Sequence, residues 1–325
     1  MSNKVSIVIP TYNRSKIIGI TINSFLEQSL PKENYEIIIV DNNSTDDTKG
    51  TVEKIIQSNK LFKIKYILEL RAGVHFARNR GAKEAENEIL YFTDDDMEAD
   101  KNLLEEILKV FNLNYEVGAA TGVVLPKFKT EPPKWILKHC CNSILSLNPK
   151  KEKDLIFSSE DIGVFSCHQA VKKEALFRAG GFNPENVRGE WIGDGETGLN
   201  KNIKKLGYEF AFTSKAVIYH LIPKERLTQK YINKRLANQG NADSYTYYRE
   251  KRPSKKQLYF QILKHIFKGL YFLGLAILFS IIGYSEWHLR WAWIFYWISR
   301  IKYDLKLIKN KEWRDLVLKS NWIDK

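Results

Sequence analysis

The sequence predicts an α/β protein with a mostly parallel β-sheet and helices on both faces, followed by a helical, aromatic and basic C-terminal region. Apolar, strand-like runs alternate at short intervals with segments of helical periodicity. A hydrophobic content of 44% over 325 residues is enough to bury a sizeable core. Residues 251–325 hold 15 Lys and Arg against 5 Asp and Glu, which places +10 of the net +13 charge there.

Four strands are predicted in the first hundred residues, with a helix after each of the first three. The strands are VSIVIPT, YEIIIVD, FKIKYILEL and EILYFT, and the helices lie in KIIGITINSFLEQSL, DDTKGTVEKIIQSN and HFARNRGAKEAENE. A helix in NLLEEILKVFNL and a strand in VGAATGVVL come next. Residues 126–154 are rich in Pro and Lys and are predicted to form a long loop, with order returning from Ile162.

Polar residues at the ends of three strands are the first indication of a ligand site. Residues 11–14, 41–44 and 94–96 follow the first, second and fourth strands. In parallel sheets ligands bind beyond the carboxyl ends of the strands, so these segments are expected to converge on one crevice. Asp94, Asp95 and Asp96 concentrate negative charge there, and like charges raise each other's pKa. A bound cation would relieve this repulsion.

The residue types at this crevice favour a divalent ion and a nucleotide. Mg²⁺ and Mn²⁺ take one or two protein carboxylates and complete their shell with waters and substrate phosphates. Asp41 is placed to accept a hydrogen bond from a base, Tyr12 to stack on one, and Arg78 to contact a phosphate or pair with an aspartate. Taken alone, the aspartates also fit an acidic helix cap. No GxGxxG motif follows any of the four strands predicted in the first hundred residues, and the sequence contains no P-loop motif.

Four motifs resemble, in order and spacing, the N-terminal half of glycosyltransferase family 2, the nucleotide-sugar enzymes of the GT-A fold. They are VSIVIPTYNR, IIIVDNNSTDDT, RAGVHFARNRGA and LYFTDDDMEAD. The resemblance implies a GT-A-like catalytic domain over residues 1–240, with a nucleotide-binding half to about residue 125 and an acceptor half over 126–240. Residues 241–325 would then form a helical, membrane-associating tail.

The resemblance also implies roles for individual residues. The residues that match nucleoside-binding positions are Pro10, Thr11, Tyr12 and Asp41. Asp94 and Asp96 match the ends of the DxD motif, with Asp96 as the expected direct ligand of Mn²⁺ or Mg²⁺ and Asp95 facing the ribose or donor sugar. His220 matches a histidine near the diphosphate or metal, and Arg226 is a comparable candidate for the diphosphate. A structural histidine and a surface salt bridge are the simpler interpretations of these last two.

The expected catalytic base lies in GDGETGL, where the sequence departs from the family pattern. The family usually carries a Glu-Asp pair here, and alignment on Thr197 and Leu199 puts Glu196 at the base position and Gly195 where the Glu would be. Glu196 keeps this register, and Asp194 stays the alternative. Such a base would deprotonate an acceptor hydroxyl as it attacks the anomeric carbon, in a single displacement that inverts configuration. Without the upstream motifs, this segment is better interpreted as a solvent turn before an amphipathic helix.

The C-terminal region predicts contact with a membrane. Six of the eight tryptophans lie there among Lys and Arg, as at a lipid–water boundary. Residues 269–283 are apolar throughout but shorter than the ~20 residues of a perpendicular span. In-plane or re-entrant association is favoured, while a double-spanning hairpin and a helical subdomain packed on the core stay open. No secretory signal precedes KVSIVIP, so the catalytic domain is expected on the cytoplasmic face of the membrane.

Together these patterns predict a metal-dependent, inverting glycosyltransferase. It would move a sugar from a nucleotide diphosphate sugar, a UDP-sugar first, to a hydroxyl of a glycan or lipid-linked acceptor in polysaccharide or surface-glycan biosynthesis. Trp191 and His168 are predicted to border the acceptor pocket. A nucleotidyltransferase and an inactive membrane-surface scaffold of the same fold are the alternatives. Nucleic acid is not an expected partner despite a pI of 9.4, because the basic residues accompany an apolar run.

Overall fold

The computed structural model describes residues 4–187 and 190–323, and it confirms the alternation predicted for the first half of the chain. The elements are β1 (Val5–Thr11), α1 (Ile18–Leu26), β2 (Tyr35–Asp41), α2 (Thr48–Ser58), β3 (Ile64–Leu68), α3 (Val74–Glu84) and β4 (Ile89–Thr93). Every residue of β1 and β2 is buried. This burial is what parallel strands covered on both faces require, and it explains their continuous apolar sequence.

The middle of the chain is less regular. Its elements are β5 (Met97–Ala99), α4 (Leu103–Leu113), β6 (Val117–Phe128), α5 (Lys134–His139), β7 (Leu155–Ser158), β8 (His168–Lys172), α6 (Lys173–Arg178), β9 (Asn186–Val187), β10 (Glu190–Trp191), α7 (Glu196–Lys205) and β11 (Glu209–Ile222). The loop predicted over residues 126–154 is wrong in part, because it contains the end of β6 and the helix α5. Ile136 of α5 is fully buried in the core, which gives this short helix a tertiary anchor.

The strands form one mixed sheet and one small hairpin. The order in the large sheet is β3-β2-β1-β4-β8-β6-β11-β5, with β7 also paired to β11, while β9 pairs with β10. Strands β1 to β4 are parallel, as the short strand–helix–strand connections predict. Beyond β4 the sheet is mixed: β8 runs antiparallel to both of its neighbours, β4 and β6, whereas β6 and β11 pair in parallel.

The two faces of the sheet carry separate apolar clusters. Ile7 and Ile9 of β1 pack in the cluster that holds α1, whereas Val8 packs with α3 on the opposite face. Gly81 lets α3 lie close to the sheet, because a Cβ there would be 2.3 Å from Cγ1 of Val8. The first turns of α3 are thereby held beside the carboxyl ends of β1 and β4.

Four further helices follow β11 in the described part of the chain. They are α8 (Gln229–Lys251), α9 (Lys255–Ile281), α10 (Trp287–Lys309) and α11 (Lys311–Leu318). Ile232 and Leu236 of α8 and Trp297 of α10 belong to the same apolar core as the sheet. The start of the C-terminal region therefore packs on the core of the sheet. Because α8 runs continuously through residue 240, the predicted domain division at that residue stays a prediction.

Among the described helices, α9 is long and apolar enough to cross a membrane, judged by length and composition. Many of its large apolar side chains are exposed, including Phe260, Phe267, Leu270, Tyr271 and Ile281. A capping box between Ser254 and Gln257 fixes the start of the helix. The helix α9 therefore packs on α10 along one side and presents an apolar face on the other.

Candidate active site

A cleft of about 840 Å³ opens at the carboxyl ends of β1, β2 and β4. The predicted site residues that line it are Pro10, Thr11, Tyr12, Arg78, Asp94, Asp95, Asp96, Glu196 and Arg226. The strand ends therefore meet at one cleft, although its lining residues come from positions 10 to 238 of the chain. The ring of Tyr12 is 56% exposed, which leaves it accessible for stacking on a ligand.

Each of the three consecutive aspartates is paired with an arginine from another part of the chain. The pairs are Asp94 with Arg78, Asp95 with Arg14 at 3.2 Å, and Asp96 with Arg226 at 2.8 Å. Asp95 and Asp96 are only 8% and 3% exposed, and the strand β5 follows them instead of a helix. The helix-cap interpretation of these aspartates is therefore wrong.

The pKa values of Asp95 and Asp96 shift in opposite directions. Burial and the neighbouring charge of Asp96 raise the pKa of Asp95 well above its usual value. Burial alone would also raise the pKa of Asp96, but the neighbouring His220 and the charge of Arg226 lower it. Asp96 therefore stays ionised near neutral pH and is the stronger cation ligand of the two.

The donor atoms around Asp96 fit a divalent ion. Nδ1 of His220 lies 2.9 Å from the carbonyl oxygen of Leu145, so this nitrogen donates and Nε2 keeps its lone pair. Nε2 lies 3.7 Å from Oδ1 of Asp96, and Arg226 donates to both groups. The carboxylate of Asp96 and the Nε2 lone pair of His220 thus face the same position, which the guanidinium of Arg226 contacts. Both are ordinary ligands of divalent ions.

The two candidates for the base lie on different sides of α7. Glu196, the first residue of α7, lines the cleft. The carboxylate of Asp194 instead accepts hydrogen bonds from Asn183 at 2.7 Å and Thr246 at 2.6 Å, beside a separate cavity of about 140 Å³. The geometry therefore favours Glu196, and it gives Asp194 a structural role in joining α7 to α8.

Two other predicted residues, His168 and Asp41, are not among those that line the cleft. His168 is fully buried, with Nδ1 against the Tyr91 hydroxyl at 2.7 Å and Nε2 against the Ala216 carbonyl at 3.1 Å, so its predicted place at the acceptor pocket is wrong. Asp41 lies behind the cleft wall, where it accepts hydrogen bonds from the Ser44 amide and the Tyr66 hydroxyl. Its contact with a base stays a prediction. The backbone of Trp191 pairs in β10, but its side chain lies outside the described residues.

One wall of the cleft was not predicted from the sequence. Four side chains of α8, spaced as one face of a helix, line it. They are Tyr231, Lys234, Arg235 and Asn238. Their spacing was visible in the sequence, but α8 follows the last strand, and only the fold brings its first turns over the cleft. Glu185 also lines the cleft and was missed, as was the buried His75 beside it.

The cleft combines an acidic strand end with a glutamate at a helix start, at the carboxyl edge of the parallel strands, where such sheets bind ligands. The model of the family described as "Glycosyl transferase family 2" matches residues 6–178, more than half of the chain. The chain belongs to this family. The resemblance and the GT-A-like fold expected from the motifs are therefore confirmed.

Individual relatives are enzymes of glycan and polymer synthesis. The chain is 38% identical over 104 residues to the poly(ribitol-phosphate) beta-N-acetylglucosaminyltransferase TarS of Staphylococcus aureus, covering 32% of this chain and 18% of the relative. It is 34% identical over 188 residues to the poly(ribitol-phosphate) beta-glucosyltransferase of Bacillus spizizenii, covering 54% and 28%. It is 32% identical over 114 residues to the GalNAc(5)-diNAcBac-PP-undecaprenol beta-1,3-glucosyltransferase of Campylobacter jejuni, covering 34% and 36%. The chain thus spans well under half the length of these relatives.

One solved structure resembles almost the whole fold. The mannosyltransferase PcManGT of Pyrobaculum calidifontis, in complex with GDP-Man and Mn²⁺, superposes with a TM-score of 0.64 at 18% identity. The match covers 95% of this chain and 88% of that one. At this identity the likeness shows the fold, including an arrangement that extends into the C-terminal helices.

Proposed function

We propose that the protein is an inverting glycosyltransferase that transfers a sugar from a nucleotide diphosphate sugar to an acceptor hydroxyl. The observation that carries this proposal is the single cleft in which the buried aspartates of the β4 end and Glu196 of α7 face the same space. Two sets of acidic groups with different surroundings can serve two roles, one holding the donor and the other accepting a proton.

The donor half of the cleft has the groups that a nucleotide diphosphate needs. Tyr12 offers an exposed ring for the base, and Arg226 offers a guanidinium beside Asp96 for the diphosphate. We propose a UDP-sugar as the donor, with Pro10 and Thr11 at the nucleoside. The Pyrobaculum calidifontis enzyme was solved with GDP-Man. GDP-sugars therefore belong in the same test.

Asp96 and His220 would hold Mn²⁺ or Mg²⁺, with Asp94 as a further ligand. A divalent ion bound there would neutralise the charge that develops on the leaving diphosphate. Arg226 now donates to both Asp96 and His220, so ion binding requires it to move aside. The displaced guanidinium would then lie beside the phosphates, where a positive charge is useful.

Glu196 would accept the proton of the acceptor hydroxyl. Burial and the nearby charge of Glu185 raise the pKa of Glu196, which makes it a stronger base than an exposed glutamate. Attack on the anomeric carbon from the Glu196 side, opposite the held diphosphate, inverts the configuration in one displacement. The first turns of α8 would form the wall on which acceptor chemistry is selected.

We further propose that the acceptor is a glycan or a lipid-linked glycan at the cytoplasmic face of a membrane. The relatives named above include enzymes of poly(ribitol phosphate) and of an undecaprenol-linked glycan. The exposed apolar face of α9 supports contact with a bilayer, and Lys264 and Lys268 beside it would interact with anionic headgroups.

Calorimetric titration with UDP, GDP, dTDP and CDP, each with Mn²⁺ and with EDTA, tests the donor site. We expect one nucleotide to bind in a metal-dependent manner. In Asp96→Asn we expect binding to weaken at least about tenfold, or 1.4 kcal/mol, because the principal metal ligand loses its charge. The exposed Asp315→Asn, on α11, is the matched control.

Circular dichroism of both variants checks that the fold persists. If no nucleotide binds to the folded wild type, the donor site and the enzyme proposal both fail, and an inactive scaffold becomes the better interpretation. If a nucleotide binds equally well in EDTA, the metal proposal alone fails.

A further inference from the structure

A histidine lies between two glutamates beside the proposed base. Nε2 of His75 is 3.3 Å from Oε1 of Glu185 and 3.9 Å from Oε2 of Glu196. The histidine is fully buried, whereas the glutamate side chains are 28% and 19% exposed towards the cleft. His75 lies in the motif RAGVHFARNRGA, but the sequence predicted no role for it or for Glu185.

The position of the ring proton follows from the other side of the histidine. Nδ1 of His75 lies 3.1 Å from Nη1 of Arg78, and a guanidinium can only donate. Nδ1 therefore accepts, and the proton of the neutral ring is on Nε2. Nε2 is buried and has no hydrogen-bond partner among the described residues, although Oε1 of Glu185 lies 3.3 Å away. The acceptors that lie near this N–H are the carboxylates of Glu185 and Glu196.

Packing holds the ring in this position. His75 stacks on Phe182 with ring centroids 5.1 Å apart and planes 13° from parallel. A Cβ at Gly195 would lie 2.3 Å from Nε2 of His75. The imidazole ring therefore occupies the space that the Cβ of any other residue at position 195 would need. The acid that the resembling family usually carries at position 195 is absent, and Glu185 supplies a carboxylate to the same place from a different segment.

We propose that His75 and Glu185 are positioning residues for Glu196, and that together they replace the missing first acid of the base motif. Glu185 accepts a hydrogen bond from the Nε2–H of His75 and thereby fixes the ring. The ring and the carboxylate of Glu185 then confine Glu196 to the cleft. This inference rests on the proposed function, because it takes Glu196 to be the base.

The electrostatics of the cluster support this assignment. Burial and the charge of Glu185 raise the pKa of Glu196. Burial would raise the pKa of Glu185 as well, but His75, Arg78 of α3 and Arg235 of α8 lower it. Two neighbouring carboxylates with opposite shifts are the arrangement in which one stays ionised and the other exchanges a proton. The Cys167 thiol also lies near Glu196, and burial raises its pKa well above its usual value.

A metal ion is the competing occupant, because a histidine and two glutamates whose donor atoms lie within 4.8 Å of one another can bind one. Binding through Nε2 would require the proton to move to Nδ1, directly against the guanidinium of Arg78. That arrangement places two donors against each other in a buried site, so the geometry favours the positioning role.

The test compares Glu185→Gln with Glu185→Asp and with the exposed control Glu33→Gln. The donor found by calorimetry is used, and release of nucleoside diphosphate by transfer to water is followed across pH. We expect Glu185→Gln to lower kcat at least about tenfold, within the range of general-base effects, with donor affinity unchanged. Its acid limb should move to lower pH, because the charge that raises the pKa of Glu196 is removed. Glu185→Asp should restore part of the rate.

Imidazole ¹⁵N NMR of the full-length protein gives a readout that needs no donor. We expect His75 to be the Nε2–H tautomer, with an Nε2 shift that changes in Glu185→Gln and not in Glu33→Gln. The Nδ1–H tautomer, or a coordination shift of Nε2 on adding diamagnetic Zn²⁺, would overturn the proposal in favour of a metal site. An unchanged pH profile in Glu185→Gln, with donor still bound, overturns it while leaving the proposed function intact. If no donor binds, only the proposed function fails, and the tautomer result still decides the geometry.

Discussion

Replacing Gly195 with alanine tests how closely His75 and the start of α7 approach each other. Gly195 has φ +54° and ψ −124°, a conformation that costs an L-residue about 1–3 kcal/mol. The added Cβ would also overlap Nε2 of His75 at 2.3 Å and Cε1 at 3.0 Å. Since the ring is held by Phe182 and Arg78, it cannot move away freely, and such overpacking costs about a further 1–3 kcal/mol.

Gly207→Ala provides the matched control. Gly207 also has a positive φ, +85°, but a Cβ there would meet nothing within 4 Å. Gly207→Ala therefore carries the conformational cost of a positive φ without steric overlap of the added Cβ. We expect urea unfolding, followed by far-UV circular dichroism, to show Gly195→Ala less stable than Gly207→Ala by about 1–3 kcal/mol, the overpacking cost. The expected difference isolates the contact with His75.

A double-mutant cycle with His75→Ala sharpens this comparison. Without the imidazole, the remaining close atom is Oε1 of Glu185 at 3.1 Å, which lies at the end of a flexible side chain. The additional cost of Gly195→Ala should therefore largely disappear in the His75→Ala background. Equal stability of Gly195→Ala and Gly207→Ala, or the same cost with and without His75, would refute the close approach on which the role of His75 depends.

Two further predictions concern the base and the membrane. Glu196→Gln should lower sugar transfer at least about a hundredfold with donor binding retained, whereas Asp194→Asn should leave the cleft intact and reduce stability to urea by about 1–3 kcal/mol through its lost hydrogen bonds. Because burial and a neighbouring charge raise the pKa of Glu196 above 4.5, the wild-type rate should fall as pH drops through that raised value; a rate that is flat down to pH 4.5 contradicts this. Phe267→Asp on α9 should weaken sedimentation with anionic vesicles. Leu61→Asp, at a similarly exposed site away from α9, should not. Equal binding by both variants would reject α9 as the contact surface.

The parallel half of the fold was predictable because its signals are local. Runs such as VSIVIPT and YEIIIVD are apolar without alternation, and short polar segments and helices separate them. The antiparallel strand β8 could not be placed in the same way. Its sequence, HQAVK, is short and has no strong period, and its position between β4 and β6 depends on contacts between residues more than 40 positions apart.

The site was predictable where a motif lies at a strand end and unpredictable where tertiary packing brings distant residues together. Asp94 to Asp96 follow β4 directly, so their place at the cleft follows from the direction of the strand. His168 was misplaced because a histidine at a strand start gives no indication of which groups will bury it. Glu185 was missed because its relation to Glu196 arises through His75, which is more than 100 residues earlier in the chain.

The pairing of Asp96 with Arg226 affects how the chain can fold while it is still being synthesised. Arg226 follows Asp96 by 130 residues, so a ribosome that adds about 5–20 residues per second exposes Asp96 roughly 7–26 s before its partner. During that interval Asp96, the most buried carboxylate at the end of β4, lacks the guanidinium that donates to it, and burying it unpaired would cost several kcal/mol. The N-terminal strands can therefore assemble early as a sheet, but the edge that becomes the cleft must stay hydrated until β11 and the turn after it have been synthesised.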